Sequence, residues 1–129
     1  MKEHPNVTLT KQGFAAFATG DLPTLNTMLS NDIVWHGAGR SFLGGDFKGK
    51  AEVLGVFARV TQEADSFDQK IHAVLADDDH AVALVEAHAT REGKEARIHQ
   101  VFVFHISQGQ ITEAWVTMQD QYSADEFWA

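Results

Sequence analysis

The chain has 129 residues, the usual length of one domain, and 44% of them are hydrophobic, which is typical of a globular protein. With 18 acidic and 10 basic residues the net charge is −8, which argues against binding to nucleic acid or to an anionic membrane surface. The lack of cysteine excludes disulfides, thiol nucleophiles and thiolate metal sites, and no apolar run is long enough to span a membrane. We therefore expect a single cytoplasmic domain over residues 1–129.

Two consecutive helices are predicted at the start of the chain. Apolar spacing indicates a first helix from about residue 7 to residue 19, with Asn6 as its N-cap and Gly20 as the left-handed residue that ends it. Asp21 is then expected to cap a short second helix, because Pro23 falls in the first turn, where a missing N–H costs nothing.

The middle of the chain combines a strand, a glycine-rich stretch and a third helix. Ile33–His36 has β-type residues and predicts a short strand, and an apolar stripe predicts a helix from about Ala51 to Ala64. The stretch between them, Gly37–Gly49, is read as a loop. Its glycine content leaves open whether it closes over a pocket as a lid.

The second half reads as antiparallel sheet. Its turns have the composition of hairpin turns, and they separate four predicted strands, near 67–76, 80–91, 95–107 and 110–118. Helices followed by a meander indicate an α+β fold, in which three N-terminal helices pack on one face of a curved antiparallel sheet.

Alternation along the two central strands separates two faces of this sheet. The face expected to meet the helices is mostly apolar and comprises Ala81, Ala83, Val85, Ala87, Ala89, Ile98, Gln100, Phe102, Phe104 and Ile106. Its alanines leave room for a cavity, and Gln100 is its one strongly polar side chain. The opposite face carries His80, Val82, Leu84, Glu86, His88, Arg97, His99, Val101, Val103 and His105.

A two-residue turn at Glu92-Gly93 would place Glu86 opposite His99 and His80 opposite His105. Glu86, His88 and His99 could then be read as three metal ligands, or as part of a mixed outer surface or subunit interface. Because no His-x-His or His-Glu-x-x-His spacing supports a metal, we predict none.

Two residues are candidates for proton transfer. His36 ends a strand beside Trp35 at the start of the glycine stretch, where it could exchange a proton near neutral pH or act only as a hydrogen-bonded rim residue. Asp120 follows the last strand, and an aspartate beside an apolar cavity can have a raised pKa. The alternative is that Asp120 caps a turn or helix in the tail.

Four segments together resemble a SnoaL-like domain of the nuclear transport factor 2-like and ketosteroid isomerase-like superfamily. They are residues 14–22 (FAAFATGDL), 32–36 (DIVWH), 43–49 (LGGDFKG) and 109–115 (GQITEAW). The resemblance covers nearly the whole chain. It implies a cone, in which a strongly bent sheet wraps over three helices around an apolar pocket. It also implies a homodimer joined through the outer sheet face, and relatives that use acid–base chemistry without a cofactor.

The pattern of the ketosteroid isomerases is not reproduced. It requires a tyrosine on the first helix, whereas the only tyrosine is Tyr122, and its two aspartate positions read His36 and Gln100. Cyclase-like relatives place an acid–base aspartate after the tryptophan of the last strand, and Asp120 resembles it, following Trp115. The resemblance therefore implies an isomerase, cyclase or hydrolase other than a steroid isomerase.

We predict a pocket for a small apolar or carbonyl-bearing molecule, with His36 and Asp120 exchanging protons and Gln100 or Arg40 orienting an oxygen. The predicted pocket walls are Phe17, Trp35, Phe57, Phe102, Trp115 and Met118. No metal or cofactor is expected. Two alternatives are a binding module without turnover and a dimerisation scaffold whose interior is filled by aromatic rings.

Overall fold

The computed structural model describes residues 2–129 and confirms the α+β class. Its elements, in chain order, are α1 (Pro5–Thr19), α2 (Leu22–Met28), β1 (Leu29–Gly37), β2 (Gly45–Lys48), α3 (Lys50–Glu63), β3 (Ser66–Ala76), β4 (His80–Arg91), β5 (Lys94–Ser107), β6 (Gln110–Met118) and α4 (Gln121–Trp128).

The first helix begins earlier than its apolar pattern predicts. His4 is the N-cap, and its Nδ1 accepts a hydrogen bond from the backbone N–H of Asn6. The prediction of Asn6 as N-cap was therefore wrong. Asn6 is buried instead, and its Nδ2 donates to the carbonyls of Asp77 and Asp78, at 2.9 and 3.1 Å. This side chain ties α1 to the turn between β3 and β4.

The junction between α1 and α2 follows the prediction. Gly20 ends α1 with a φ of 70°, a left-handed conformation that glycine adopts without strain. Asp21 caps α2, because its carboxylate accepts hydrogen bonds from the backbone N–H and the hydroxyl of Thr24.

The six strands form one sheet in the order β2-β1-β6-β5-β4-β3. All neighbours are antiparallel except β1 and β6, which are parallel, so the sheet is mixed rather than antiparallel as predicted. The short strand β2 was also missed, because its flanking glycines read as a loop. It pairs with β1 and places Phe47 opposite Trp35.

The central hairpin has the predicted register. Glu92 and Gly93 form its turn, both with positive φ, and the pairs Glu86–His99 and His80–His105 face each other. The ten residues assigned to the inner face are all buried. The period of two along β4 and β5 therefore decides which side chains meet the helices.

The helix α4 was not among the three predicted, and it covers one end of the sheet. Phe127 and Trp128 are buried there, and the Trp128 ring meets Phe42 edge-on at 5.3 Å. The guanidinium of Arg91 donates to the carbonyls of Phe127 and Ala129. Because this cation satisfies carbonyls at the C-terminal end of α4, it holds the helix against the sheet.

Among residues 2–129, no helix combines the length and the apolar character that crossing a membrane requires.

Candidate functional site

A cavity of about 120 Å³ lies between the three helices α1–α3 and the inner face of the sheet. Six predicted pocket residues line it: Phe17, Trp35, Phe57, Gln100, Phe102 and Met118. The alanines of β4, which suggested the space, do not line it. The cavity lies instead against β1, β3, β5 and β6.

Aromatic rings in edge-to-face contact form much of the cavity wall. Phe14 meets Phe102 with centroids 5.0 Å apart, and Trp35 meets Phe57 at 4.9 Å. The ring centroids of Phe17 and Phe57 are 5.8 Å apart. Each such contact contributes about 0.5–1.5 kcal/mol of stability beyond that from burying the rings. The aromatic wall is therefore part of the packed core.

In the part of the chain that the structure describes, three polar side chains reach the cavity, and none of them is charged. The hydroxyl of Thr10 donates to the carbonyl of Asn6 at 2.7 Å, so its hydrogen is already used. Gln69 on β3 donates from Nε2 to Oε1 of Gln100 on β5 at 3.0 Å. Among the described residues, the lining includes no Asp, Glu, His, Lys, Arg or Tyr. The cavity can therefore bind and orient a ligand, but no side chain in its wall can take up or release a proton near neutral pH.

His36 lies on the outer face of the sheet and does not line the cavity. Its two ring nitrogens are each 2.7 Å from a carboxylate, Nδ1 from Asp46 and Nε2 from Glu113. Adjacent residues of a strand point to opposite faces, so the burial of Trp35 against the helices requires His36 to point away from them. The expectation that His36 exchanges a proton with a ligand in this cavity does not fit its position.

The two carboxylates stabilise the charged form of this imidazole. The hydrogen bond that His36 donates to Asp46, and then the one to Glu113, raise the pKa of His36 above its ordinary value of 6.5. Both ring nitrogens face carboxylate oxygens, so the protonated ring can donate a hydrogen bond to each acid. His36 is therefore the centre of a salt bridge with two acids.

The cluster around His36 extends along the outer face. The ring of Trp115 stacks on His36 with centroids 5.2 Å apart and meets His105 edge-on at 4.7 Å. Nδ1 of His105 is 3.9 Å from Glu113, and its ring lies 5.0 Å from that of His80. We call His36, Asp46, Glu113, His105 and Trp115 the outer cluster. Trp115, which was predicted as part of the pocket wall, does not line the cavity.

Asp120 is the N-cap of α4 rather than a pocket residue. Its carboxylate accepts hydrogen bonds from the backbone N–H of Ser123 at 3.1 Å and from the Ser123 hydroxyl at 2.7 Å. These bonds lower the pKa of Asp120 below its ordinary value, the opposite of the expected shift. Asp120 therefore acts as a structural cap of α4, with an ionised carboxylate that accepts these hydrogen bonds.

Arg40 also lies away from the cavity. Its side chain is exposed in the loop after β1, and its backbone N–H donates to Oδ1 of Asp125 on α4 at 3.0 Å. The same oxygen accepts from Nε2 of Gln121. The loop and α4 are thus joined through Asp125, which leaves Gln100 as the one predicted orienting residue in the cavity.

The three possible metal ligands on the outer face do not converge. Glu86 is 2.9 Å from the Nη1 atom of Arg97 and 4.0 Å from His99, whereas His88 bonds Glu95 at 2.8 Å. Within residues 2–129, no group of three His, Asp or Glu side chains is arranged to hold a metal ion. These side chains form ion pairs with one another and with neighbouring residues of the outer face.

Gln69, Asp46 and Glu113 were not singled out from the sequence. Gln69 lies two residues after Phe67, and both line the cavity, so alternation along β3 could have identified it. No local signal identifies the partners of His36, because Asp46 belongs to the missed strand β2 and Glu113 lies on β6, 77 residues away.

Residues 10–114 match the family described as SnoaL-like domain. An uncharacterised protein of Mycobacterium tuberculosis is 27% identical over the full length of both chains. Among solved structures, Bal32a from a soil-derived mobile gene cassette is 31% identical, with a TM-score of 0.92 over 97% of each chain.

Two further structures show how widely the fold is shared. A Xanthomonas campestris protein of unknown function with a cystatin-like fold is 25% identical, with a TM-score of 0.88 over 95% of this chain and 97% of its own. TerC, co-crystallised with polyporic acid, is 19% identical, with a TM-score of 0.85 over 96% and 98%. Proteins described as NTF2-like also superpose. The chain belongs to the SnoaL-like domain family and has the NTF2-like, cystatin-like fold.

Proposed function

We propose that this protein binds a small, mainly apolar molecule in the cavity between the helices and the sheet, without acid–base turnover by its own side chains. The observation that carries the proposal is the composition of the cavity wall, which is aromatic and aliphatic apart from Thr10, Gln69 and Gln100. Ligand sites are mostly apolar with a few placed polar groups, and this cavity has that composition.

The volume limits the ligand to about one ring. An apolar cavity of about 150 Å³ accommodates benzene, and this one measures about 120 Å³. A polycyclic ligand would have to displace rings such as Phe14 and Phe57 from their edge-to-face contacts. Toluene is therefore a suitable first probe, since it fills the space and tests nothing but apolar fit.

An acid–base enzyme is the weaker interpretation for this chain. The two candidates, His36 and Asp120, are respectively a salt-bridge centre on the outer face and a helix cap. General acid–base catalysis requires the group within hydrogen-bond reach of the reacting atom, directly or through one water. A binding role has a precedent in the fold, because TerC, which shares the fold, has been crystallised with polyporic acid.

Filling the cavity tests the proposal directly. Gly13 lines the cavity from α1, and a Cβ there would lie 3.1 Å from Cε of Met28, the flexible end of a side chain. In Gly13→Leu the new side chain occupies the ligand space, and toluene affinity measured by calorimetry is expected to fall at least about fivefold, because overpacking costs about 1–3 kcal/mol.

Gly55→Leu is the matched control. Gly55 lies inside α3, is exposed, and a Cβ there meets nothing within 4 Å. Both variants gain helix propensity, by up to about 1 kcal/mol, so any difference in binding comes from the cavity. Equal toluene affinity in Gly13→Leu and Gly55→Leu would contradict the proposal.

The proposal includes a homodimer formed through the outer face. Half-buried apolar side chains of the outer face, among them Leu84, Val101 and Trp115, support it, as does a groove of about 450 Å³ that includes Leu84, Glu86 and His99. Sedimentation equilibrium should give a dimer that Val101→Glu converts to a monomer and that Thr61→Glu, on exposed α3 surface, does not. A monomeric wild-type protein would contradict this part.

A further inference from the structure

We infer that the Gln69–Gln100 pair makes this cavity selective for a neutral single-ring molecule carrying one hydroxyl or carbonyl oxygen. The inference rests on the proposed function, because it specifies the ligand of the same cavity. It goes beyond apolar binding in naming the polar group that the ligand must carry and the charge that it must lack.

The pair is a built feature of the core. Gln100 is 6% exposed and lies on β5 between Val85 and Met118 of the neighbouring strands, and Gln69 reaches it from β3. The bond therefore crosses β4, where the residue paired with Gln69 is Ala87. The small alanine leaves room for the two amides to meet above the strand.

Each amide keeps hydrogen-bonding capacity after the pair forms. No hydrogen bond within residues 2–129 uses Nε2 of Gln100 or Oε1 of Gln69, although both residues line the cavity. A glutamine amide has two N–H donors and a carbonyl acceptor, so the pair presents a donor beside an acceptor. If nitrogen and oxygen are exchanged in both amides, Gln100 becomes the donor of the bond and Gln69 the acceptor. The pair then still presents one free donor and one free acceptor.

This arrangement specifies the chemistry of the ligand. A hydroxyl oxygen can accept from Gln100 Nε2 while its hydrogen is donated to Gln69 Oε1, and a carbonyl oxygen can use the donor alone. A carboxylate or an ammonium group would meet no opposite charge among the described residues of the wall, so its desolvation would not be compensated. The amides therefore favour an uncharged oxygen at one end of an apolar body.

Calorimetry at pH 7 with phenol, toluene and benzoate tests the inference. Gln100→Leu replaces the amide by an apolar side chain of comparable size, so phenol affinity is expected to fall about three- to tenfold, the value of one neutral hydrogen bond. Toluene affinity should stay within about twofold, since toluene makes no hydrogen bond. Gln12→Leu, at an exposed position of α1, is the matched control and should change neither affinity.

The outcomes separate this inference from the proposed function. Toluene binding to the wild-type protein supports the cavity site by itself. Unchanged phenol affinity in Gln100→Leu, or benzoate binding as tight as phenol, would overturn the selectivity and leave the cavity site standing. Absence of both toluene and phenol binding to the folded wild-type protein would overturn both.

A measurement on the wild-type protein covers the case in which Gln100→Leu fails to fold. The side-chain amide resonances of Gln69 and Gln100, followed in proton–nitrogen spectra, should shift on addition of phenol far more than on addition of toluene. Equal shifts with the two probes would contradict the inference, because toluene cannot exchange hydrogen bonds with the pair.

Discussion

An acid–base enzyme needs a ligand cavity and titratable side chains in the same place. In this protein the cavity lies on the inner face of the sheet and the titratable cluster lies on the outer face. Among the described residues, the wall of the inner-face cavity includes no titratable side chain, whereas His36, His105 and their acidic partners lie on the outer face and do not line that cavity. Proton-transfer groups and ligand space are thus separated by the thickness of a sheet. Histidines and acids in a sequence indicate catalysis only where the fold points them into the same space as the ligand.

Stability should show the largest difference between the faces. Trp35 is buried among aromatic rings, so Trp35→Ala is expected to lower the free energy of unfolding by about 3–5 kcal/mol. Trp115 is half-buried on the outer face, and Trp115→Ala should cost about 1 kcal/mol. Urea denaturation of both variants at one protein concentration measures the two losses. Similar losses would mean that the two tryptophans do not occupy such different surroundings.

Asp120 should give an effect of intermediate size, on stability alone. Asp120→Ala removes the cap of α4 and is expected to cost about 1 kcal/mol in urea denaturation. Asp120→Asn is the control and should cost only a few tenths, because asparagine caps helices about as well as aspartate. If both variants lose equal stability, capping is not the role of this carboxylate.

His36 should give the smallest effect, visible in the pH dependence of stability. Because Asp46 and Glu113 raise the pKa of His36 in the folded protein, its stabilising contribution is complete below the unfolded pKa of 6.5. The contribution is lost as the pH rises through the higher folded pKa. The stability gap between the wild-type protein and His36→Gln should therefore narrow from pH 6 to alkaline pH.

Two comparisons check the assignment of that pH dependence. Asp46→Asn removes the main cause of the raised pKa of His36, the hydrogen bond to Asp46, and should weaken the pH dependence of the stability difference between the wild-type protein and His36→Gln. His36→Gln should leave toluene affinity within about twofold, since His36 does not line the cavity. A gap that widens with rising pH, or a large loss of toluene binding, would contradict the separation of the two faces.

Much of the fold follows from short-range patterns. The alternation along β4 and β5 and the glycine turn between them predict the central hairpin and its inner face, because both signals lie within the hairpin itself. The parallel pairing of β1 with β6 and the edge strand β2 depend on contacts between distant segments, which local patterns do not carry. Local patterns therefore predicted the α+β class of the fold, but they did not predict the order of the strands in the sheet.

The candidate site was predicted in part for a related reason. Trp35 and Phe102 line the cavity, because large apolar residues on an inner face have few other places to lie. Trp115 was misplaced because β6 is irregular near its start, where both Ile111 and Ala114 are buried. That irregularity shifts the alternation and directs Trp115 outward.

We expect a ligand to bind on the inner face and to leave the outer face unchanged. Proton–carbon and proton–nitrogen spectra of the wild-type protein during a toluene titration test it most directly. We predict shifts at the cavity methyl groups of Met28, Leu29 and Val116, with the Trp115 indole and His36 ring resonances unmoved. Shifts confined to Trp115 and His36, with the cavity methyl groups unmoved, would contradict the account.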